Sequence, residues 1–168
     1  MDPNILTTLL IVAAVFFGGG ETVPSALSYG SGVAPRIGLS TVSGGFVVRA
    51  TEADVTLLAR IIEIEARGEP YLGKVAVGAV VVNRVKDPRF PNTIHDVIFE
   101  PNQFTSVPSL PRFPVPSEES RRAAIEALRG RDPTGGALFF YNPDLVGRDP
   151  WWDARPNRMR IGNHVFTR

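Results

Sequence analysis

Between residues 75 and 85 the chain reads VAVGAVVVNRV, with no polar side chain before Asn83. A segment lacking a polar face must be covered on every side, so the rest of the fold has to be built around it. Its valines favour a strand by propensity. The apolar and small residues nevertheless extend over 72–86, about four helical turns and longer than most strands. The segment is read as a buried central helix, closed off by Pro88 and Pro91.

The flanking sequence supplies further helices. Thr51 precedes Asp54 by three residues and Glu52 adds charge to the first turn, a helix-capping arrangement. Leu58, Ile61, Ile62 and Glu65 then recur at helical spacing, and Gly68 ends the run. A short helix is expected over 94–99. A longer one opens at Ser117 with Glu118 and Glu119 and runs to Gly130, arginines on its outer face. Strands are expected at 137–141 and 160–166, with a shorter one at 46–49. Helices followed by a small antiparallel β element make an α+β domain, mainly helical.

Ahead of this lies a charge-free apolar run over 5–17, followed by Gly18, Gly19 and Gly20. Its length suits the core of a signal peptide and falls short of a full membrane span. Asp2 precedes it and no Lys or Arg does, unlike the positive start usual for export signals. Residues 1–26 are read as a signal peptide, with Ser25 and Ala26 near the cut, or as an N-terminal anchor; a buried core segment is the third reading. Residues 27–50, rich in Ser, Gly, Pro and Val, form a flexible linker. The folded, catalytic domain is then 51–168.

Composition removes several function classes. A formal net charge of +1 provides no field for nucleic acid. Without cysteine there is no disulfide, thiolate metal site or cysteine nucleophile. His95 and His164 lack zinc spacing, so neither a metal nor another cofactor is expected.

Two acids on the first helix differ in kind. Glu63 lies opposite Ile61 and Ile62, where Arg67 and Arg60 can pair with it, an arrangement for a solvated face. Glu65 lies three, four and seven residues after Ile62, Ile61 and Leu58, and so points with the apolar side chains. Apolar surroundings and the negative helix terminus both disfavour its charge, predicting a pKa raised to about 6, as a glycosidic general acid requires. The residues alone equally allow a structural acid bonded to Arg67, Arg84 or a backbone amide.

Further motifs bear on the choice. Leu57-Leu58-Ala59-Arg60, Glu65-Ala66-Arg67-Gly68-Glu69-Pro70, Val82-Asn83-Arg84-Val85 and Phe90-Pro91-Asn92-Thr93 are followed by Gln103-Phe104-Thr105. Then come Asp132-Pro133-Thr134-Gly135-Gly136-Ala137, Tyr141-Asn142-Pro143 and Ile161-Gly162-Asn163-His164-Val165-Phe166. In this order they resemble the SleB-type cell-wall hydrolases, which include the spore cortex-lytic enzymes. The resemblance implies a lysozyme or lytic-transglycosylase-like domain that cleaves the β-1,4 bond between N-acetylmuramic acid and N-acetylglucosamine. It implies that Glu65 is the catalytic glutamate. Cortex-lytic members carry a peptidoglycan-binding domain ahead of the catalytic one; a leader and linker stand there here, which points to a general envelope enzyme.

One supported acid suits a lytic transglycosylase, in which Glu65 acts as acid and then as base. Hydrolysis needs a second carboxylate, for which Glu69, Asp96 and Glu100 are the candidates, Glu69 also fitting a brace for the next helix. Sugar binding calls for aromatic faces beside amides and hydroxyls. Glu69, Gln103, Phe104, Thr105, Tyr141, Asn142, Trp152 and His164 are the candidates; aromatics such as Phe104 and Tyr141 are more often core than platform, and one of Trp151 and Trp152 suits a packing role. The expected partner is the peptidoglycan glycan strand, met by a monomer exported to the periplasm or cell exterior, free or anchored. A non-catalytic glycan-binding protein on the same fold is the rival class.

Overall fold

The computed structural model describes residues 45–101, 103, 104, 107, 115–147, 149–156 and 158–168. The expected leader, and most of the linker, lie outside the described residues.

Helix α1, Glu52–Glu65, begins with a reciprocal cap: Asp54 N donates to Thr51 Oγ1, and Thr51 N donates to the Asp54 carboxylate at 2.8 Å. Its buried stripe is Val55, Leu58, Ala59, Ile61, Ile62 and Glu65. After Gly68 turns the chain at φ +80°, Pro70 caps α2, Tyr71–Lys86. Helix α2 is buried continuously from Val75 to Val82 and again at Arg84. Burial on all sides outweighs the strand propensity of its valines. It packs on α1 and on α4, Glu118–Leu128, which also pack on each other, and α3, Ile94–Phe99, closes against α1 and α2. Gly78 makes the three-helix contact close, since a Cβ there would stand 2.9 Å from Ile62 Cδ1 and 3.0 Å from the Ala127 Cβ.

A three-stranded antiparallel sheet completes the expected α+β architecture: β1 Phe139–Tyr141, β2 Met159–Ile161 and β3 His164–Thr167, in the order β1-β3-β2. Alternation divides its side chains. Phe140 and Phe166, directly paired across the strands, join the main core, whereas Tyr141 and Val165 join Trp152 in a second cluster.

Three expectations for the elements change. The strand expected over 160–166 is a hairpin, because Gly162 at φ +61° and Asn163 form a two-residue turn closed by the pair Ile161 and His164. No strand forms at 46–49; Val47 N instead donates to Leu128 O at 2.8 Å, laying the segment over the end of α4. Two short helices were not anticipated, α5 Pro143–Val146 and α6 Pro150–Asp153. Each has an Asx cap, Asn142 or Asp149, and proline in its first turn.

Candidate active site

The last residue of α1 is Glu65, 3 % exposed although it belongs to a carboxylate-bearing type. Its placement follows from the heptad-like recurrence of the helix's buried positions, which leaves no outward rotation for residue 65 once Leu58, Ile61 and Ile62 face the core. Glu63, on the other side of the helix, accepts from Ser117 N at 3.2 Å and from the Ser117 hydroxyl. Burial alone would raise the Glu63 pKa, but the bonds from Ser117 and Ser120 outweigh it and hold the acid below its ordinary value. The partner expected for Glu63, Arg67 or Arg60, is thus replaced by the cap of α4.

The cation of the site comes from the far end of α2. Arg84 is fully buried, its Nε donates to Leu138 O at 2.8 Å, and its guanidinium lies 5.2 to 5.4 Å from the ring centres of Phe90, Phe104 and Phe139. Burial pushes its pKa down to about 10; Glu100 opposes that, Arg155 adds to it as a like charge, and Glu65 opposes it. Glu65, at the C-terminal end of α1, and Arg84, in the last turn of α2, are therefore brought within electrostatic reach of each other. Arg84 is the site residue that the sequence reading passed over as no more than a structural partner. Its signal was a charged side chain inside the last turn of an otherwise apolar helix.

On the other side of the α1–α2 turn, the Glu69 carboxylate accepts from Asn163 N at 2.9 Å and from Asn163 Nδ2 at 3.0 Å. Glu69 thereby fastens the β2–β3 turn to the start of α2. Next to it, His164 is 2 % exposed and packs 5.2 Å from the Phe140 ring and 6.1 Å from the Phe166 ring. Burial holds the imidazole below its ordinary pKa of 6.5, with the charge of Glu69 pulling the other way. Its Nδ1 has no hydrogen-bond partner among the described residues.

The remaining candidates divide. Gln103 and Phe104 are both buried, Phe104 against Arg84. Thr105 lies outside the described residues. Asn142 caps α5, its Oδ1 accepting from Asp144 N at 2.9 Å. Tyr141 stacks on Trp152 at 4.3 Å and accepts a hydrogen bond from Arg158 at 2.6 Å. Trp152 is only 4 % exposed, with Trp151 edge-on against it; Trp151 is the more accessible indole, and the Arg155 guanidinium covers it at 3.7 Å. The structure thus groups Glu65 with Phe104 through Arg84, and Glu69 with His164, while Tyr141, Asn142 and Trp152 belong to the second cluster and its adjoining cap. Of the acids considered for a second catalytic role, Glu69 is occupied by Asn163 and Asp96 by Thr93 and His95.

The clefts on the surface of the described residues include three of about 570, 550 and 360 Å³. The first two adjoin the C-terminal end of α2, and the third lies between the start of α1 and that of α3. Glu65 lines none of these three.

A mainly helical α+β domain that sets a buried glutamate against a buried arginine, beside a small β-hairpin, defines a class that comparison with known proteins identifies. The profile of the cell wall hydrolase family matches residues 68–167. The chain belongs to this family. Glu69 falls inside the matched span and Glu65 lies just ahead of it. The chain is 46 % identical over 116 residues to the spore cortex-lytic enzyme of Halalkalibacterium halodurans, covering 69 % of this chain and 35 % of that protein. It is 32 % identical over 126 residues to the cell wall hydrolase CwlJ of Bacillus subtilis, covering 71 % of this chain and 88 % of that one. Among solved structures it resembles the catalytic domain of the germination-specific lytic transglycosylase SleB from Bacillus anthracis. That match has a TM-score of 0.64 and 42 % identity, over 71 % of this chain and 97 % of that chain. The chain spans between 35 % and 45 % of the length of the first cortex-lytic relatives it matches.

Proposed function

We propose that this chain cleaves peptidoglycan at the β-1,4 bond between N-acetylmuramic acid and N-acetylglucosamine, with Glu65 as the acid. The observation that carries the proposal is the nearly complete burial of that carboxyl beside Arg84, in a member of the cell wall hydrolase family. Glu65 protonates the glycosidic oxygen as the bond from the muramic anomeric carbon breaks. The N-acetyl carbonyl of the same sugar stabilises the cationic carbon. Ionised Glu65 then takes the proton of the muramic C6 hydroxyl, whose oxygen closes on the anomeric carbon to give a 1,6-anhydro end. The proton that left the acid is thereby returned, and no second carboxylate is consumed. Arg84 is suited to the intermediate stage, when Glu65 is an anion.

Occupation of Glu69 and Asp96 by structural bonds leaves Glu100, whose charge acts on Arg84, as the acid that a hydrolytic route would use. The similarity to SleB of Bacillus anthracis, a germination-specific lytic transglycosylase, supports the one-acid route. Gln103 and Phe104 are assigned to the glycan side of the site because Phe104 lies against Arg84, and Thr105 is assigned with them from its place in the sequence. The apolar run over 5–17 is assigned to export, which would put the enzyme where its substrate is; among the described residues no helix is long and apolar enough to cross a membrane.

Mass spectrometry of muropeptides released by the purified protein tests the reaction, anhydro ends being expected and reducible ends indicating hydrolysis. Zymography with Glu65→Gln tests the acid, with an expected loss of roughly 100- to 10,000-fold. Equal clearing by both proteins removes Glu65 from the role. Tight glycan binding without clearing favours the non-catalytic reading.

A further inference from the structure

Two of the surface clefts meet around the C-terminal end of α2, sharing Lys86, Asp87 and Pro88. The larger, about 570 Å³, extends over Asn83, Arg89, Asp132, Gly136 and Arg168. The other, about 550 Å³, has apolar walls at Val85, Phe90 and Pro91. The first carries Lys86, Arg89 and Arg168 against Asp87 and Asp132, and the second places the Val85, Phe90 and Pro91 surfaces next to Lys86.

Its acids are already engaged. Asp132 accepts from Thr134 N, the Thr134 hydroxyl, Asn83 Nδ2 and Gly136 N, at 2.6 to 2.9 Å, so both carboxylate oxygens are taken up in shaping the 132–136 turn. Burial would raise its pKa, and those bonds reverse the effect and keep it ionised. Asp87 is held by two guanidinium bonds from Arg89, at 2.8 and 2.9 Å. Lys86 and Arg168 are the lining cations for which no ion pair forms among the described residues.

Arg168 is held in position. Its Nε donates to Gly136 O at 3.0 Å, and its guanidinium lies so close over Gly136, at φ +89°, that a Cβ there would run into it. Arg155, clamped between Trp151 and Phe139 at 3.7 and 3.8 Å, acts as a like charge on Arg84 and is itself acted on by Arg89. Positive charge therefore continues from the groove toward the Arg84 and Glu65 pair.

We propose that this groove binds the stem peptide of peptidoglycan, with Lys86 and Arg168 pairing with its carboxylates and the Val85–Phe90–Pro91 wall receiving its methyl side chains. The inference rests on the reading that the chain acts on peptidoglycan. Within that polymer the N-acetylated sugars are uncharged, and the recurring anionic groups on the muramic residues are the peptide's carboxylates. An acidic peptide with small apolar side chains fits adjoining clefts that offer the guanidinium of Arg168, the ammonium of Lys86 and the short apolar surfaces of Val85, Phe90 and Pro91. Long polyanions are a poorer match, because the chain as a whole has a net charge of only +1.

The test is calorimetric titration of the full chain with a synthetic stem tetrapeptide of free carboxylates, and with its fully amidated counterpart. The acidic peptide is expected to bind more tightly than the amidated one and to weaken as salt rises. Lys86→Glu/Arg168→Glu should weaken it about tenfold or more; circular dichroism checks that this surface double variant is folded. Absent binding, equal binding of the two peptides, or binding unchanged in the double variant overturns the proposal. A second arm compares digestion of intact peptidoglycan with that of strands stripped of peptide by an amidase. A lower KM on intact strands is expected, and equal digestion overturns the proposal. Digestion of neither overturns the cleavage reading instead, while the tetrapeptide titration still decides the groove.

Discussion

Asn163 grips the carboxylate of Glu69 twice, through its backbone N at 2.9 Å and its Nδ2 at 3.0 Å, across 94 positions of sequence. The clamp joins a hairpin tip to the turn between α1 and α2, four residues after Glu65, the proposed acid. Gly162 completes it: its φ of +61° and the Glu69 carboxylate packed where a Cβ would stand both exclude a side chain.

Glu69→Ala should therefore destabilise the protein by about 2–3 kcal/mol, the cost of two bonds to a charged acceptor. Gly162→Ala should cost about 1–3 kcal/mol through backbone strain and the lost clamp. Urea unfolding measures both. An unchanged unfolding midpoint for Glu69→Ala, with turnover reduced, would instead give Glu69 to the substrate.

Arg84 should be the most sensitive position in the core. Replacing it by Met fills much of the volume but leaves Glu65 and Glu100 without their shared cation and Leu138 O without its donor. Removing one member of a buried charge set costs about 3–5 kcal/mol. Arg84→Met/Glu100→Gln should recover part of that loss, because one uncompensated acid is then neutral. A double-mutant cycle by chemical denaturation checks the coupling, expected to exceed about 1 kcal/mol; strict additivity would mean that the two side chains do not interact.

Helices α1 to α4 were legible in the sequence because each carried its own local signal. The Thr51 and Asp54 pair marked the start of α1, Ser117 that of α4, and the unbroken apolar run the body of α2. The direction of Glu65 followed from spacing alone. What was harder to read depended on contacts distant in sequence. Nothing near Arg84 says that Phe90, Phe104 and Phe139 will surround it, and nothing near Glu63 says that Ser117 will bind it. The hairpin at 159–167 was a missed local signal, since Gly162-Asn163 between apolar residues is turn chemistry. Trp151 and Trp152 could not be told apart, because their exposure depends on how α6 sits against Tyr141.

Gly78 shows that close approach, and no need for a special φ, selects a glycine in mid-helix. Alanine at this position would gain up to about 1 kcal/mol in helix propensity. Its methyl group would also press on Ile62 and Ala127, both fully packed between helices. Overpacking costs about 1–3 kcal/mol, so Gly78→Ala should destabilise on balance. Thermal unfolding settles the sign: a higher Tm would mean that α1 and α4 yield easily.

His164 gives the stability a dependence on pH whose direction follows from its burial. The folded chain holds the imidazole below its ordinary pKa of 6.5, burial outweighing the opposing charge of Glu69. As pH falls below that ordinary value, the unfolded chain takes up a proton that the folded chain refuses, and stability declines. Above it both forms are neutral and the contribution is fully present. Below the lowered folded pKa both are protonated and the loss levels off. His164→Phe keeps an aromatic ring between Phe140 and Phe166 and removes the titration, so its unfolding free energy should fall less between about pH 7.5 and about pH 5 than that of the wild type. Parallel slopes for the two proteins, measured from urea midpoints at both pH values, would show that His164 takes up its proton without opening the fold.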